Sequence, residues 1–367
     1  MPETPMVFVV GTGRCGSTIL SDMVRLHPGV LSLSELFTSL GGPGPMGRKL
    51  SGSEFWDFIA TARYGGRQIL RAAPFKEILY PTGRNQKDTA FSIWGDGVPP
   101  ISLITLPHLT PAFDRLYDHL GRRLKAAPPA SLSEHYSELF DALGEDRPGR
   151  IVVERSGGSL EYIEQLIDLF PEAAVIHLHR DGRDTALSMS RHPRYRFIMV
   201  ERELTRRIGG NPYSMTEEEY LDELPALVDA AGDMVDLLPH RITDRSFRSW
   251  SIPLSRFGSL WSTMVLTKTP ALRRHQPLLE MSYEDMARDP HGSLMAIADF
   301  IGLDRASEWS AAASAIFNPE VGRWRGEPAE VQAVLERSCR PGMRFLPDSP
   351  APNSSPPQRH EEVSENV

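Results

Sequence analysis

Cysteine is almost absent from this sequence, which has Cys15 and Cys339 in 367 residues. Two thiols cannot form the disulfide framework of a small secreted domain, and so few are typical of a protein kept in a reducing compartment. Long apolar runs are missing as well, so no transmembrane helix is predicted, and the run Met6–Val10 is too short for the apolar core of a signal peptide. These absences predict a cytoplasmic protein.

An excess of positive charge is also missing, since 48 Asp and Glu residues outnumber 40 Lys and Arg residues and give a net charge of −8. This balance argues against a general nucleic-acid-binding protein, although it allows a local basic pocket for an anionic ligand. The hydrophobic fraction of 40% is ordinary for a globular protein. We expect residues 1–346 to form one domain and the Pro- and Ser-rich tail, 347–367, to be disordered.

Short apolar runs alternate with helical patterns along much of the chain. Strands are predicted at Met6–Val10, Val30–Glu35, Ile151–Val153, Ala174–His179 and Pro277–Met281, with helices from Ser17, over Gly157–Phe170, from Asp184 and over Pro290–Ile301. This alternation predicts a three-layer, P-loop-like α/β fold in which helices flank a central parallel sheet. Two segments without a clear strand pattern, 38–150 and 193–275, are predicted to be helical insertions.

A glycine-rich loop, Gly11-Thr12-Gly13-Arg14-Cys15-Gly16-Ser17-Thr18, follows the first strand. Loop amides and a helix N-terminus concentrate positive charge at one point, so the loop predicts an anion site. Read as G-x-G-x-x-G, with Glu35 as the ribose ligand, it is typical of dinucleotide-binding proteins. Read as G-x-x-x-x-G, it is similar to the loop of P-loop kinases and nucleotidases, although Ser17 stands where they have a lysine. The cation of this loop is Arg14 instead.

A second motif follows the fourth strand, in the segment His177–Ser188. Arg180 ends the strand and Ser188 lies on the second turn of the next helix, so both can face one phosphate, the guanidinium through charge-assisted hydrogen bonds and the hydroxyl as a neutral donor. A P-loop kinase would need a metal-binding aspartate where this strand ends in Arg180. A dinucleotide-binding protein would leave both residues unexplained.

These two motifs resemble the 5′-phosphosulfate loop and the 3′-phosphate motif of the sulfotransferases that use 3′-phosphoadenosine-5′-phosphosulfate (PAPS), in the bacterial, tyrosylprotein-sulfotransferase-like branch with arginine in the loop. The segment Leu279–Met286 and the loop Val321–Gly326 are similar to two further segments of that family. The resemblance implies transfer of a sulfuryl group from PAPS to an acceptor hydroxyl, without a metal and without a nucleic-acid partner.

The resemblance also implies roles for individual residues. Cofactor contacts are implied for Gly13, Arg14, Cys15, Gly16, Ser17, Thr18, Arg180, Ser188, Tyr283, Arg323, Trp324 and Arg325. Arg14 would also stabilise charge on the leaving phosphate. Cytosolic members of the family use a histidine as the base, but the matching stretch, Val153–Gly157, has none, and the tyrosylprotein-type relatives imply Glu35 as the base. Arg155 then matches a lysine that contacts the sulfuryl oxygens.

Four histidines, His27, His177, His179 and His192, need no catalytic interpretation from the sequence. His27 and His192 precede prolines at predicted helix ends, and helix termination accounts for them. His177 and His179 lie on one side of a strand without a third ligand at metal spacing, so no metal site is predicted. Apolar helical faces in the insertions favour a lipid or another small-molecule alcohol as the acceptor.

Overall fold

The computed structural model of the protein describes residues 6–73, 75–83, 89–146, 150–304 and 306–346, and the predicted tail, 347–367, lies outside this part of the chain. Its strands are β1 (Met6–Val10), β2 (Val30–Ser34), β3 (Ile151–Arg155), β4 (Ala174–His179) and β5 (Leu278–Ser282). They form one parallel sheet in the order β2-β3-β1-β4-β5. The five predicted strands are confirmed, with some ends shifted by one or two residues.

Helices make up most of the remaining described chain. Before β3 they are α1 (Ser17–Arg25), α2 (Leu36–Leu40), α3 (Gly52–Ala60), α4 (Tyr64–Ala72), α5 (Pro100–Leu103), α6 (Thr105–Leu109), α7 (Phe113–Lys125) and α8 (Leu132–Gly144). Between β3 and β5 they are α9 (Ile163–Leu169), α10 (Gly182–Arg191), α11 (Pro193–Ile208), α12 (Glu217–Asp222), α13 (Leu224–Ala231), α14 (Asp244–Ser249) and α15 (Leu254–Leu272). After β5 they are α16 (Tyr283–Arg288), α17 (Pro290–Ile301), α18 (Ala306–Ser314) and α19 (Ala329–Phe345). Short 3₁₀ helices lie at Ser159–Tyr162, Gly232–Leu237 and Arg323–Gly326.

The side chains of β1 alternate between two apolar cores. Phe8 and Val10 join the cluster that includes residues of α8, α9 and α15, whereas Val7 and Val9 join the cluster that includes residues of α1, α17 and α18. Because helices cover both faces, β1 is buried along its whole length, as expected for the centre of a parallel sheet. The predicted three-layer, P-loop-like α/β fold is therefore confirmed.

Both predicted insertions are helical, and within the described ranges neither adds a strand to the sheet. They pack on each other through a third apolar cluster, in which Tyr64 and Ile69 of α4 lie with Phe197 and Val200 of α11. Of the helices in the described residues, none has the length and apolar character needed to cross a bilayer. The insertions therefore form a helical layer beside the sheet.

Candidate functional site

The loop between β1 and α1 is shaped for a group that approaches its backbone. Gly13, Arg14 and Gly16 have φ angles of 74°, 55° and 91°, all in the left-handed region. Such a backbone turns successive N–H groups towards a common point and makes an anion-binding concavity. A Cβ atom at Gly13 would lie 1.6 Å from the hydroxyl of Tyr195, and one at Gly16 would lie 2.2 Å from the ring of Tyr283. Neither position accepts a larger residue unless an aromatic side chain moves.

Tyr195, from the second insertion, supports this loop. Its buried hydroxyl donates to the carbonyl oxygen of Thr12 over 2.9 Å. Burial raises the pKa of this phenol well above its ordinary value, so it remains a protonated donor at neutral pH. Tyr195 is not predictable as a site residue from the sequence, because α11 carries no motif and reaches the glycine loop only through tertiary packing.

Residues from both predicted phosphate motifs meet beside the loop. The Nε atom of Arg14 donates to Oγ of Ser188 over 3.1 Å. Arg180 donates to the carbonyl oxygen of Arg14 over 3.4 Å, and its guanidinium carbon lies 4.5 Å from the ring centroid of Tyr283. Its Nε atom is buried and has no hydrogen-bond partner among the described residues. The fold thus brings together the predicted residues Arg14, Arg180, Ser188 and Tyr283.

Asp184, on the first turn of α10, fixes the C-terminal loop next to Arg180. Its carboxylate accepts hydrogen bonds from the N–H groups of Gly322 and Trp324 over 2.6 and 2.9 Å, and Arg180 lies 3.5 Å from the same carboxylate. The sequence analysis placed Asp184 only at the start of a helix. Asp184 therefore joins the second predicted phosphate motif to the C-terminal loop.

The three predicted residues of that loop face different surroundings. Trp324 is buried in the apolar core, with the guanidinium carbons of Arg183 and Arg325 at 4.0 and 5.0 Å from its ring. Arg323 is exposed and forms an ion pair with Glu320. Cofactor contacts by Arg323, Trp324 and Arg325 stay a prediction.

Glu35 follows β2 directly and has a left-handed backbone, with a φ angle of 56°. Its carboxylate forms an ion pair with Arg155, and its Oε2 atom accepts from the N–H of Gly157 over 2.9 Å. Arg155 also donates to Oγ of Ser34 over 2.9 Å, and its Nε atom is buried without a partner in the described chain. The predicted base and the predicted sulfuryl-binding arginine therefore touch each other at the ends of adjacent strands.

The other predicted loop residues divide between the core and the site. The side chain of Cys15 is fully buried in the apolar cluster beneath α1, and this burial raises the pKa of its thiol. Cys15 therefore contributes packing, and only its backbone is available to an anion. Ser17 and Thr18 line a cavity together with Arg14.

This cavity has a volume of about 790 Å³ and lies beside the carboxyl ends of the strands. It is lined by Arg14, Glu35 and Arg155, and both insertions contribute its walls. Apolar side chains on the walls include Ile69, Leu70, Phe75, Val98, Phe197 and Ile198. Large cavities that combine apolar walls with fixed polar groups are typical of small-molecule sites.

Glu77 and His192 form a second polar pair on the cavity wall. The Nε2 atom of His192 lies 2.6 Å from Oε1 of Glu77, and a terminal nitrogen of Arg14 lies 3.8 Å from the same oxygen. The hydrogen bond from His192 is the main cause that lowers the pKa of the Glu77 carboxyl. Interpreting His192 only as a helix terminator was incomplete, because its side chain also contacts the site.

His177 and His179 serve other contacts. Their rings lie 5.5 Å apart, and Nδ1 of His177 lies 3.1 Å from Oε1 of Glu280. Burial lowers the pKa of His179 to about 4, so this imidazole is neutral at pH 7. In the described part of the chain, no group of three or more His, Cys, Asp or Glu side chains is arranged to hold a metal ion.

Comparison with known proteins gives a family match over part of the chain. Residues 165–317 match the family model described as a sulfotransferase domain. This range includes Arg180, Ser188 and Tyr283. No curated protein sequence matches the chain.

Several solved sulfotransferase structures are similar to this chain along most of its length. The sulfotransferase domain of the Synechococcus PCC 7002 olefin synthase is 16% identical, with a TM-score of 0.44, over 95% of this chain and 96% of that one. The sulfotransferase domain from the curacin biosynthetic pathway is 12% identical, with a TM-score of 0.46, over 95% and 94%. The sulfotransferase STF1 from Mycobacterium tuberculosis H37Rv is 15% identical, with a TM-score of 0.36, over 92% and 76%.

Proposed function

We propose that this chain, whose residues 165–317 match the sulfotransferase domain model, transfers the sulfuryl group of PAPS to the hydroxyl of an apolar acceptor held in the cavity. One observation carries the proposal: the glycine loop and Arg14, which contacts Arg180 and Ser188, line the same large cavity as the Glu35–Arg155 pair. Anion-binding groups, a carboxylate and an acceptor-sized space are what sulfuryl transfer to an alcohol requires.

The residues beside the glycine loop fit a ligand with two phosphate groups. Bound PAPS would supply the sulfuryl group and a 5′-phosphate as its leaving group. Loop amides of Gly13–Thr18 would hold the 5′-phosphate, while Arg180 and Ser188 would hold the 3′-phosphate. The buried Nε of Arg180 has no acceptor among the described residues, and a buried N–H without an acceptor is unfavourable. An anion at this point would supply the missing acceptor.

Arg14 is the residue that neutralises charge developing on the leaving phosphate. Ser188 accepts from its Nε atom, which leaves the terminal nitrogens of the guanidinium available for a ligand. A donor that is fixed in place before the reaction needs no reorganisation in the transition state, and the loss of one such donor typically costs roughly 10²–10³ in rate.

Glu35 is the base that accepts the proton of the acceptor hydroxyl. Arg155 and the N–H of Gly157 each engage one of its carboxylate oxygens. An ionised carboxylate has about four acceptor positions, so these contacts orient Glu35 and leave room for a hydroxyl. A positioned base contributes about 10²–10⁴ to the rate. The buried Nε atom of Arg155 has no hydrogen-bond partner among the described residues and is suited to donate to the sulfuryl oxygens.

The acceptor is a lipid or another bulky apolar alcohol. The walls of the cavity that Glu35 lines carry apolar side chains from both insertions, such as Leu70 and Ile198. Burial of apolar surface contributes about 25 cal/mol per Å², so an acceptor with a long hydrocarbon body gains more affinity here than a sugar. In this interpretation the two insertions exist to build the acceptor site.

Calorimetric titration with 3′,5′-diphosphoadenosine (PAP), without metal, tests the cofactor half of the proposal. Arg180→Ala removes charge-assisted hydrogen bonds worth about 1.5–3 kcal/mol each, so the Kd should rise at least tenfold. Arg183→Ala is the matched control, because Arg183 lies nearby on Asp181 and Trp324 and should leave the Kd within threefold.

Competition experiments separate the alternatives. NAD, or ATP with magnesium, should not displace PAP. Displacement by ATP and magnesium would support a P-loop kinase or nucleotidase, displacement by NAD would support a dinucleotide-binding protein, and either result would contradict PAPS as the cofactor.

A further inference from the structure

Helix α2 begins at Leu36, so Glu35 occupies the position that caps its N-terminus. A short polar side chain at this position, from Ser, Thr, Asp or Asn, ordinarily accepts a hydrogen bond from an amide in the first turn of the helix. Glu35 makes no such bond, because its side chain is turned towards Arg155 and Gly157. The first amides of α2 must therefore find other acceptors, since a buried N–H without a partner is costly.

Glu154 in β3 and Ser156, directly after the end of β3, supply those acceptors. Oε1 of Glu154 accepts from the N–H of Leu36 over 3.2 Å, and Oγ of Ser156 accepts from the N–H of Thr38 over 3.2 Å. Ser156 in turn donates its hydroxyl hydrogen to Oε1 of Glu154 over 2.7 Å. Both side chains are 1% exposed. A neighbouring strand thus caps the helix in place of Glu35.

Backbone contacts between the same two segments complete the arrangement. The N–H of Glu35 donates to the carbonyl oxygen of Arg155 over 2.7 Å, and Oγ1 of Thr38 donates to the carbonyl oxygen of Gly157 over 2.9 Å. The peptide groups on both sides of Glu35 are therefore fixed. This explains how a residue other than glycine is held in the left-handed region, with its carboxylate directed into the site.

We infer that Glu154 and Ser156 are positioning residues, which cap α2 from the carboxyl end of β3 so that the Glu35 carboxylate is free for proton transfer. The inference rests on the proposed function, in which Glu35 is the base. Neither residue touches the acceptor in this scheme, and both act through the backbone of residues 35–38.

The protonation state of Glu154 is compatible with this role. Burial raises the pKa of its carboxyl group to about 8, so the side chain is largely neutral at pH 7. A neutral acid places no negative charge beside Glu35, and its Oε1 atom remains an acceptor. The amide oxygen of glutamine offers the same acceptor, whereas alanine offers none.

The test compares Glu154→Ala, Glu154→Gln, Ser156→Ala and Glu35→Gln in the full-length protein, with PAPS and 1-dodecanol as the probe acceptor. Glu154→Ala should lower kcat 10- to 100-fold with an unchanged KM for PAPS, and Glu154→Gln should restore kcat to within about threefold of the wild type. Hydrogen exchange of the residue 36–38 amides should accelerate at least tenfold in Glu154→Ala but not in Glu154→Gln. Ser156→Ala, the milder change, should give smaller effects in the same direction, and it serves as the test if Glu154→Ala does not fold.

The outcomes distinguish the inference from the proposal beneath it. Full activity of Glu35→Gln would remove the base assignment, and the inference with it. An inactive Glu35→Gln beside a fully active Glu154→Ala would overturn the positioning role alone. A Glu154→Gln variant as impaired as Glu154→Ala would also overturn it, because the acceptor atom would then be insufficient.

Discussion

Removal of the negative charge of Glu77 is expected to strengthen the binding of PAP. Oε1 of Glu77 lies 3.8 Å from a terminal nitrogen of Arg14, the residue that we propose for the 5′-phosphate. An incoming phosphate must compete with this carboxylate for Arg14 and is also repelled by it. Glu77→Gln removes both effects, while its amide oxygen can still accept from His192.

The expected change in Kd follows from the distance between the Arg14 and Glu77 side chains and from their exposure to water. At 3.8 Å two unit charges interact by about 1 kcal/mol at the dielectric constant of water and by about 4 kcal/mol at an effective value of 20. The side chains of Arg14 and Glu77 are 33% and 36% exposed, so water screens them and the lower figure applies. About 1 kcal/mol corresponds to roughly a fivefold decrease in Kd.

Calorimetry with two ligands shows whether the gain is specific to the 5′-phosphate. Glu77→Gln should tighten PAP about fivefold and leave adenosine 3′-monophosphate, which lacks the 5′-phosphate, within twofold. Glu161→Gln is the matched control, because Glu161 lines the same cavity and pairs with Arg202 instead. Weaker PAP binding in Glu77→Gln would mean that Glu77 holds Arg14 in its binding position. Equal gains for both ligands would mean a general charge effect. Either result would refute the reasoning.

Three further predictions concern the loop, the cavity and the buried acid. Gly13→Ala should abolish measurable PAP binding, because its Cβ would meet the Tyr195 hydroxyl at 1.6 Å, whereas Gly66→Ala, with open space around it, should bind normally by calorimetry. Ile198→Trp should raise the KM for 1-dodecanol at least tenfold in a sulfuryl-transfer assay without changing PAP affinity, whereas Ile316→Trp, at an exposed position, should change neither. In urea unfolding between pH 4 and 9, the wild type should lose free energy of unfolding relative to Glu154→Gln as the pH rises. Folding raises the pKa of the Glu154 carboxyl from 4.5 to about 8. The stabilisation by its proton is therefore complete only below pH 4.5 and is lost as the pH rises towards 8. A difference that is independent of pH would contradict the raised pKa.

The fold and the local geometry of the two motifs were predictable because their signals are local. The apolar run of β1, the glycines after it and Arg180 at the end of β4 each lie within a few residues of the structure that they specify. The predicted start of a helix was less accurate where a side chain caps the helix. Helix α10 was predicted from Asp184 but begins at Gly182, since Asp181 accepts from the N–H of Arg183 over 2.8 Å and caps the helix two residues earlier.

The residues that complete the site were not predictable, because they reach it only through tertiary packing. Glu77 and Tyr195 belong to the insertions, where no motif marks a residue, and they lie far from Arg14 in sequence but next to it or its loop in space. Glu35 shows a subtler limit. Its position in the sequence predicts the end of a strand. In the structure Glu35 is the N-cap residue of α2 and has a left-handed backbone.

Backbone strain coincides with the proposed chemistry. In the part of the chain that the structure describes, Arg14 and Glu35 are the residues other than glycine with φ in the left-handed region, a conformation that costs of order 1–3 kcal/mol. Glycine would remove that cost at both positions but would also remove a guanidinium and a carboxylate. The neighbouring strand of Glu35 and the Ser188 contact of Arg14 hold the two side chains in place despite the strain. Local conformational preference is therefore violated where a side chain is needed at a sharp turn, which is the pattern expected of a functional site.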